Sequence, residues 1–334
     1  MDTKTLEATA QALVAGTKGI LAADESTATI GKRFQAIGTE STESSRRDYR
    51  HLLFTTPGAG DSVSGAILYD ETLRQKASDG TPIVSVLAKA GIIPGIKVDT
   101  GAYDLPNFPG EKITEGLDGL RGRLAEYHKI GARFTKWRAV ITIGDGIPTG
   151  YCIKANAQAL ARYAALAQEA GLVPIVEPEV LMDADNTVER CEEVTAEAWR
   201  VTFNALRKAR VHLPGMLLKP NMVIAGKKCP VQAPAQVVAE RTVTLLRAHV
   251  PPAVPGIVFL SGGQSPEQAT EHLRLMNRLG PHPWKLSFSY GRALQDPALK
   301  AWGGKPANVK AAQDAFAKVA RANAAACAGK TLVA

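Results

Sequence analysis

Eight short apolar runs recur through this sequence, most of them closing on a charged or hydroxyl-bearing residue, and they restrict its fold more than any other feature. They are Gly19 to Asp24, Val63 to Asp70, Gly95 to Asp99, Phe134 to Val140, Val173 to Glu179, Met216 to Lys219, Gly256 to Gly262 and Lys285 to Arg292. Between most of them lie stretches of helical period, such as 116–129, 155–169, 188–208, 233–246 and 266–279. Short buried strands alternating with amphipathic helices predict a parallel sheet. Eight such units predict an α/β fold, the parallel eight-stranded (β/α)8 TIM barrel, in which the C-terminal strand ends gather on one face as a site.

Side chains alternate along a strand with period two. Lys136 and Arg138 therefore share a face of the fourth run, and Glu177 and Glu179 share a face of the fifth. Inward charges at the ends of apolar strands mark a site more than a core. Lys219 carries its ammonium group almost to the end of the sixth run. For a lone strand lysine, a head snorkelling into water is the preferred reading. Two lysines on strands of one barrel point instead to a Schiff-base enzyme, because burial and a neighbouring cation both lower a lysine pKa and free its lone pair for a carbonyl.

At 334 residues the chain exceeds the ~250 typical of such a barrel, which leaves room for extra N-terminal and C-terminal helices. One domain over residues 1–334 is expected, since no repeat, linker or composition break appears. The charged start, Met1-Asp-Thr-Lys-Thr-Leu-Glu7, does not read as a signal peptide, and no apolar run reaches the 18 or so residues of a membrane span. A cytoplasmic protein without a membrane partner is the expectation. Cys152, Cys191, Cys229 and Cys327 are widely spaced and suggest free thiols. Six scattered histidines show no paired spacing, so neither a metal nor another cofactor is expected. The formal charge of +8 is spread along the chain with no nucleic-acid motif, which favours a phosphorylated small molecule over nucleic acid.

A phosphate site is expected after the seventh and eighth runs, where such barrels place one. Ser261-Gly262-Gly263-Gln264-Ser265 leads into a helix beginning at Pro266, and Gly291-Arg292 follows the eighth run. These supply hydroxyls, open backbone N–H groups and a guanidinium fork.

The segments Leu21-Ala-Ala-Asp-Glu-Ser-Thr27, Ile96-Lys-Val-Asp99, Lys136-Trp-Arg138, Val176-Glu-Pro-Glu-Val180, Leu217-Leu-Lys-Pro-Asn-Met222, Leu260-Ser-Gly-Gly-Gln-Ser265 and Phe288-Ser-Tyr-Gly-Arg-Ala-Leu294 closely resemble the signature segments of the class I fructose-bisphosphate aldolases, in family order. The resemblance implies metal-free, reversible cleavage of fructose 1,6-bisphosphate by a homotetramer. It assigns Lys219 as the Schiff-base lysine and Lys136 as the partner that depresses its pKa. Glu177 becomes the acid/base residue for carbinolamine formation and dehydration, with Glu179 ordering Lys219 or other polar groups nearby. Asp24 becomes the base for the C4 hydroxyl proton, with capping of the turn at Ser26 as its alternative. Ser261, Gly262, Gly291 and Arg292 fall at the phosphate nearest the imine. Lys97, Arg138, Ser26 and Thr29 fall at the other, with Lys32 and Arg33 close by, for which surface salt bridges are the alternative.

Two departures qualify the resemblance. Many relatives end in a tail whose terminal tyrosine assists proton exchange at C3, whereas this sequence ends Thr331-Leu-Val-Ala334, so another group or water is expected to take that step and the preference for a bisphosphate over a monophosphorylated ketose stays open. Thr29 stands where serine is frequent. Two competing readings remain: another Schiff-base barrel such as a transaldolase, and a non-catalytic scaffold that binds a protein. Two separate phosphate sites disfavour the first, and the joint presence of Asp24, Lys136, Glu177 and Lys219 disfavours the second.

Overall fold

Eight parallel strands close into a barrel in the computed structural model of the chain, which describes residues 2–332. The last two residues of the Thr331-to-Ala334 ending lie outside the described residues. In chain order the strands are β1 (Gly19–Ala23), β2 (Val63–Leu68), β3 (Ile93–Lys97), β4 (Gly101–Asp104), β5 (Lys112–Glu115), β6 (Phe134–Ile141), β7 (Val173–Val180), β8 (Leu217–Leu218), β9 (Gly256–Phe259) and β10 (Lys285–Tyr290). The barrel runs β1-β2-β3-β6-β7-β8-β9-β10 and closes β10 on β1, while β4 and β5 pair as a separate antiparallel hairpin. All eight sequence runs are barrel strands.

Two physical demands divide the barrel interior. Its lower half is apolar: Ile20, Ala22, Ile67, Phe134, Val173, Ile175, Leu217 and Val258 form one cluster. The helix Thr3–Leu13 seals that end by adding Leu6, Ala10 and Leu13, with Val14 just beyond it. The Phe134 ring occupies space that neighbouring strands vacate with glycine. A Cβ at Gly95 would stand 2.3 Å from that ring, and one at Gly65 would stand 2.7 Å from Leu13 Cδ2. Close packing leaves no slack for either methyl.

One layer higher the same faces turn polar. The register pairs Gly95 with Phe134 and then Lys97 with Lys136; on the next seam Lys136 pairs with Ile175, Arg138 with Glu177 and Val140 with Glu179. Alternation thus carries the apolar floor up into the charged residues of Lys97, Lys136, Arg138, Glu177 and Glu179.

The outer helices bury apolar stripes against the strands. Val188–Lys208 buries Cys191, Val194, Ala198, Trp199 and Leu206 at helical spacing. Helix starts follow local chemistry: Ser265 and Gln268 form a reciprocal capping box ahead of Pro266. The helix Val309–Cys327 buries Ala312, Phe316 and Ala320 and lies against the helices Pro266–Arg278 and Arg292–Trp302. Six helices escaped the sequence reading, namely Thr27–Gln35, Glu43–Phe54, Ala59–Ser62, Asp70–Arg74, Ile83–Lys89 and Arg292–Trp302, as did the β4–β5 hairpin. Among the described residues no helix is long and apolar enough to cross a membrane. The four cysteines are free thiols, and burial pushes Cys152 and Cys327 up to about 12.

Candidate active site

At the C-terminal end of the barrel a cavity of about 820 Å³ opens, and all fifteen residues given a site role from the resemblance, Lys32 included, line it. Its floor is a chain of alternating charges. Lys136 Nζ lies 2.6 Å from Asp24 Oδ2 and 3.5 Å from Glu177 Oε2, while Glu177 Oε1 lies 3.2 Å from Lys219 Nζ. Glu177 therefore stands between the two amines. Lys136 and Lys219 are only 3% and 4% exposed, so neither ammonium snorkels into water.

These pairings decide the charge states. Burial opposes the Lys136 ammonium, yet the Asp24, Glu177 and Asp99 carboxylates outweigh it and hold the group above the usual lysine range. Asp24 is the mirror case: burial raises it, but Lys136 and Lys219 pull it well below the usual carboxylate range. Asp24 is thus a carboxylate held against an ammonium. The cap of the following helix is Ser26, whose hydroxyl accepts from the Thr29 N–H, so the capping alternative for Asp24 gives way to ion pairing.

Two cationic rims face each other across this floor. Lys97 ends β3 and Arg138 projects from β6; opposite them in the eight-strand circle, Ser261 and Gly262 follow β9, and Gly291 and Arg292 follow β10. Arg138 is paired with Glu179 and held above the usual arginine range, where burial is outweighed by that carboxylate. Glu179 thereby engages Arg138 and not Lys219. At Gly262 a Cβ would sit 3.0 Å from Glu179 Oε1, a tight contact to which the carboxylate would have to yield. The helix Arg292–Trp302 starts at Gly291 without a side-chain cap, which leaves N–H groups for an anion.

Ser26 and Thr29 sit at the start of the helix Thr27–Gln35 with their hydroxyls 3.1 Å apart. Arg33, from the same helix, forms a salt bridge of 2.7 Å to the nearly buried Glu25, and its guanidinium points toward Gly291. Arg33 therefore belongs to the β10 rim and not with Lys97. Glu25 is in turn held by Gln295 at 2.8 Å, and its backbone carbonyl accepts from the buried Arg50 at 2.6 Å.

Sequence reasoning passed over several residues that line the cavity. Asp99, two positions beyond Lys97, takes the Lys97 ammonium on Oδ1 and the Arg138 N–H on Oδ2. Ser289 is buried with no hydrogen-bond partner for its hydroxyl. Strand parity would have found both, since Asp99 follows Lys97 and Ser289 precedes Gly291 by two. Tyr69 and Asp70 close the second apolar run but were given no role, while Arg123 and Tyr127 come from the helix Leu120–Ile130, where no strand pattern points to them. Among the described residues no group of three or more His, Cys, Asp or Glu is arranged to hold a metal ion.

The family profile described as fructose-bisphosphate aldolase class-I matches residues 5–333. The chain is similar to a probable fructose-bisphosphate aldolase class 1 of Xanthomonas campestris pv. campestris, 57% identical with 99% of each chain covered. It is similar to the cytosolic fructose-bisphosphate aldolase 6 of Arabidopsis thaliana, 55% identical over 93% of this chain and 87% of that one. Among solved structures it superimposes with a TM-score of 0.97 on fructose-bisphosphate aldolase from Plasmodium falciparum, determined in complex with TRAP and a small-molecule inhibitor; identity is 51%, with 99% of this chain and 96% of that one covered.

Proposed function

The chain belongs to the class I fructose-bisphosphate aldolase family, and from that premise we propose how its own residues carry the reaction. The activity is reversible cleavage of fructose 1,6-bisphosphate to dihydroxyacetone phosphate and glyceraldehyde 3-phosphate, a step of glycolysis. Lys219 supplies the amine that attacks the ketose C2 carbonyl. That nitrogen must first shed a proton, and Glu177 at 3.2 Å is the acceptor in reach. The same carboxyl group then returns a proton to the carbinolamine hydroxyl, which leaves as water and yields a C2 iminium.

The iminium is the electron sink. Asp24 takes the proton from the C4 hydroxyl, that oxygen becomes the aldehyde, the C3–C4 bond breaks, and its electron pair moves through C3 and C2 to the nitrogen as an enamine. Lys136 holds Asp24 at 2.6 Å and Glu177 at 3.5 Å, so one ammonium positions both proton carriers. The Ser261–Arg292 rim binds the phosphate near the imine, and the Lys97–Arg138 rim takes the distal one. The carrying observation is Glu177 placed between two buried lysines.

Steady-state kinetics test this reading. Lys219→Ala is expected to abolish cleavage, and Glu177→Gln to lower kcat by roughly 10²- to 10⁴-fold with a smaller change in KM. Retention of kcat within a few-fold in either variant contradicts the assignment. The reading extends to one catalytic domain per chain, a cytoplasmic location as in the cytosolic Arabidopsis relatives, and a homotetramer, which sedimentation velocity decides.

A further inference from the structure

The charges on the floor and the β3–β6 rim of the cavity pair off: Asp24 with Lys136, Glu177 with Lys219, Glu179 with Arg138 and Asp99 with Lys97. Asp99 and Glu179 are the two of these carboxylates that take no part in the proton transfers, and both pair with a cation of the β3–β6 rim. Asp99 is 8% exposed and locked in place, since its Oδ2 accepts the Arg138 N–H at 3.2 Å. Its Oδ1 takes the Lys97 ammonium, which also donates to the Asp99 carbonyl oxygen at 2.7 Å. The Lys97 head is thus folded back on its own loop, with its ammonium on a carboxylate that the backbone N–H of Arg138 also holds.

We infer that Asp99 is a specificity-determining residue that sets how strongly the second phosphate of the substrate is held, by competing with that phosphate for Lys97. The inference rests on the assignment of Lys97 to the distal phosphate. A carboxylate in contact with an ammonium lowers that ammonium's affinity for an incoming anion, through both the existing pair and direct repulsion. With the cavity empty, Asp99 keeps Lys97 neutralised. After C3–C4 cleavage, Asp99 reclaims Lys97 and helps release the three-carbon aldehyde that carries the distal phosphate. A ketose phosphorylated only at C1 never meets this contact.

The isosteric change Asp99→Asn removes the charge while its amide oxygen still accepts from Arg138 N–H or Lys97. KM is measured for fructose 1,6-bisphosphate and for fructose 1-phosphate, with Lys97→Met alongside. For Asp99→Asn, KM for the bisphosphate is expected to fall roughly three- to tenfold while KM for the monophosphate stays within about twofold. Lys97→Met should raise KM for the bisphosphate alone. If Lys97→Met shifts the ratio and Asp99→Asn does not, the inference is overturned. A ratio unmoved by either variant overturns the assignment of Lys97 instead. An equal loss on both substrates in Asp99→Asn makes Asp99 purely structural and likewise overturns the inference. If that variant fails to fold, Asp99→Ser is read against the same outcomes, since it also removes the charge and leaves a short acceptor.

Discussion

The hydroxyl of Ser289 illustrates what single residues contribute to this site. It is buried, lines the cavity and makes no hydrogen bond. A buried unpaired hydroxyl costs about 1–3 kcal/mol of stability, a cost that makes sense where an arriving substrate oxygen completes the bond. Ser289→Ala is therefore expected to keep or slightly raise Tm while lowering kcat/KM by about ten- to a hundredfold, checked by a thermal scan beside steady-state kinetics; unchanged kcat/KM contradicts it. Charged residues announced themselves in the sequence because an ion inside an apolar strand is costly and therefore conspicuous. A serine at the same depth is unremarkable in sequence, which is why Lys136, Glu177 and Lys219 were legible and Ser289 was not. Partnerships were less legible than positions: parity places Glu179 on the inner face, but only the fold brings it to Arg138.

Among the elements, the barrel strands were readable because each is a short apolar run with a polar end, and all eight runs appear as strands. Their lengths were harder to read. The run ending at Lys219 yields a ladder of only two residues, Leu217–Leu218, and β3 begins at Ile93 where the sequence suggested Gly95. The hairpin at 101–115 was missed because its strands are four residues each and largely exposed, too short for a periodic signal. The short helices after β2 fail for the same reason. Packing inside the strands is testable at Gly95, whose missing side chain admits the Phe134 ring. Gly95→Ala is expected to cost about 1–3 kcal/mol, seen as a lower denaturation midpoint in urea with the slope unchanged. An unaltered midpoint would mean that the floor of the barrel is loosely packed.

For the molecule as a whole, the sequence supplies an excess of +8, and the fold concentrates part of it where it can act. Eight cationic side chains and six carboxylates line the cavity, a surplus of two that suits a ligand with two phosphates. Closure of the barrel sets the two cationic rims opposite one another, and in the proposed reading the ketose is held between them from both ends over the amines. That convergence depends on strand order, and the sequence alone could only anticipate it from the count of runs. The central claim is that Lys219 forms the covalent link to substrate, and borohydride reduction in the presence of dihydroxyacetone phosphate, followed by peptide mass spectrometry, tests it most directly. A reduced adduct confined to the peptide bearing Lys219, and absent from Lys219→Ala, is the expected result. No adduct on any peptide of the folded protein, or an adduct on Lys136, would contradict the account.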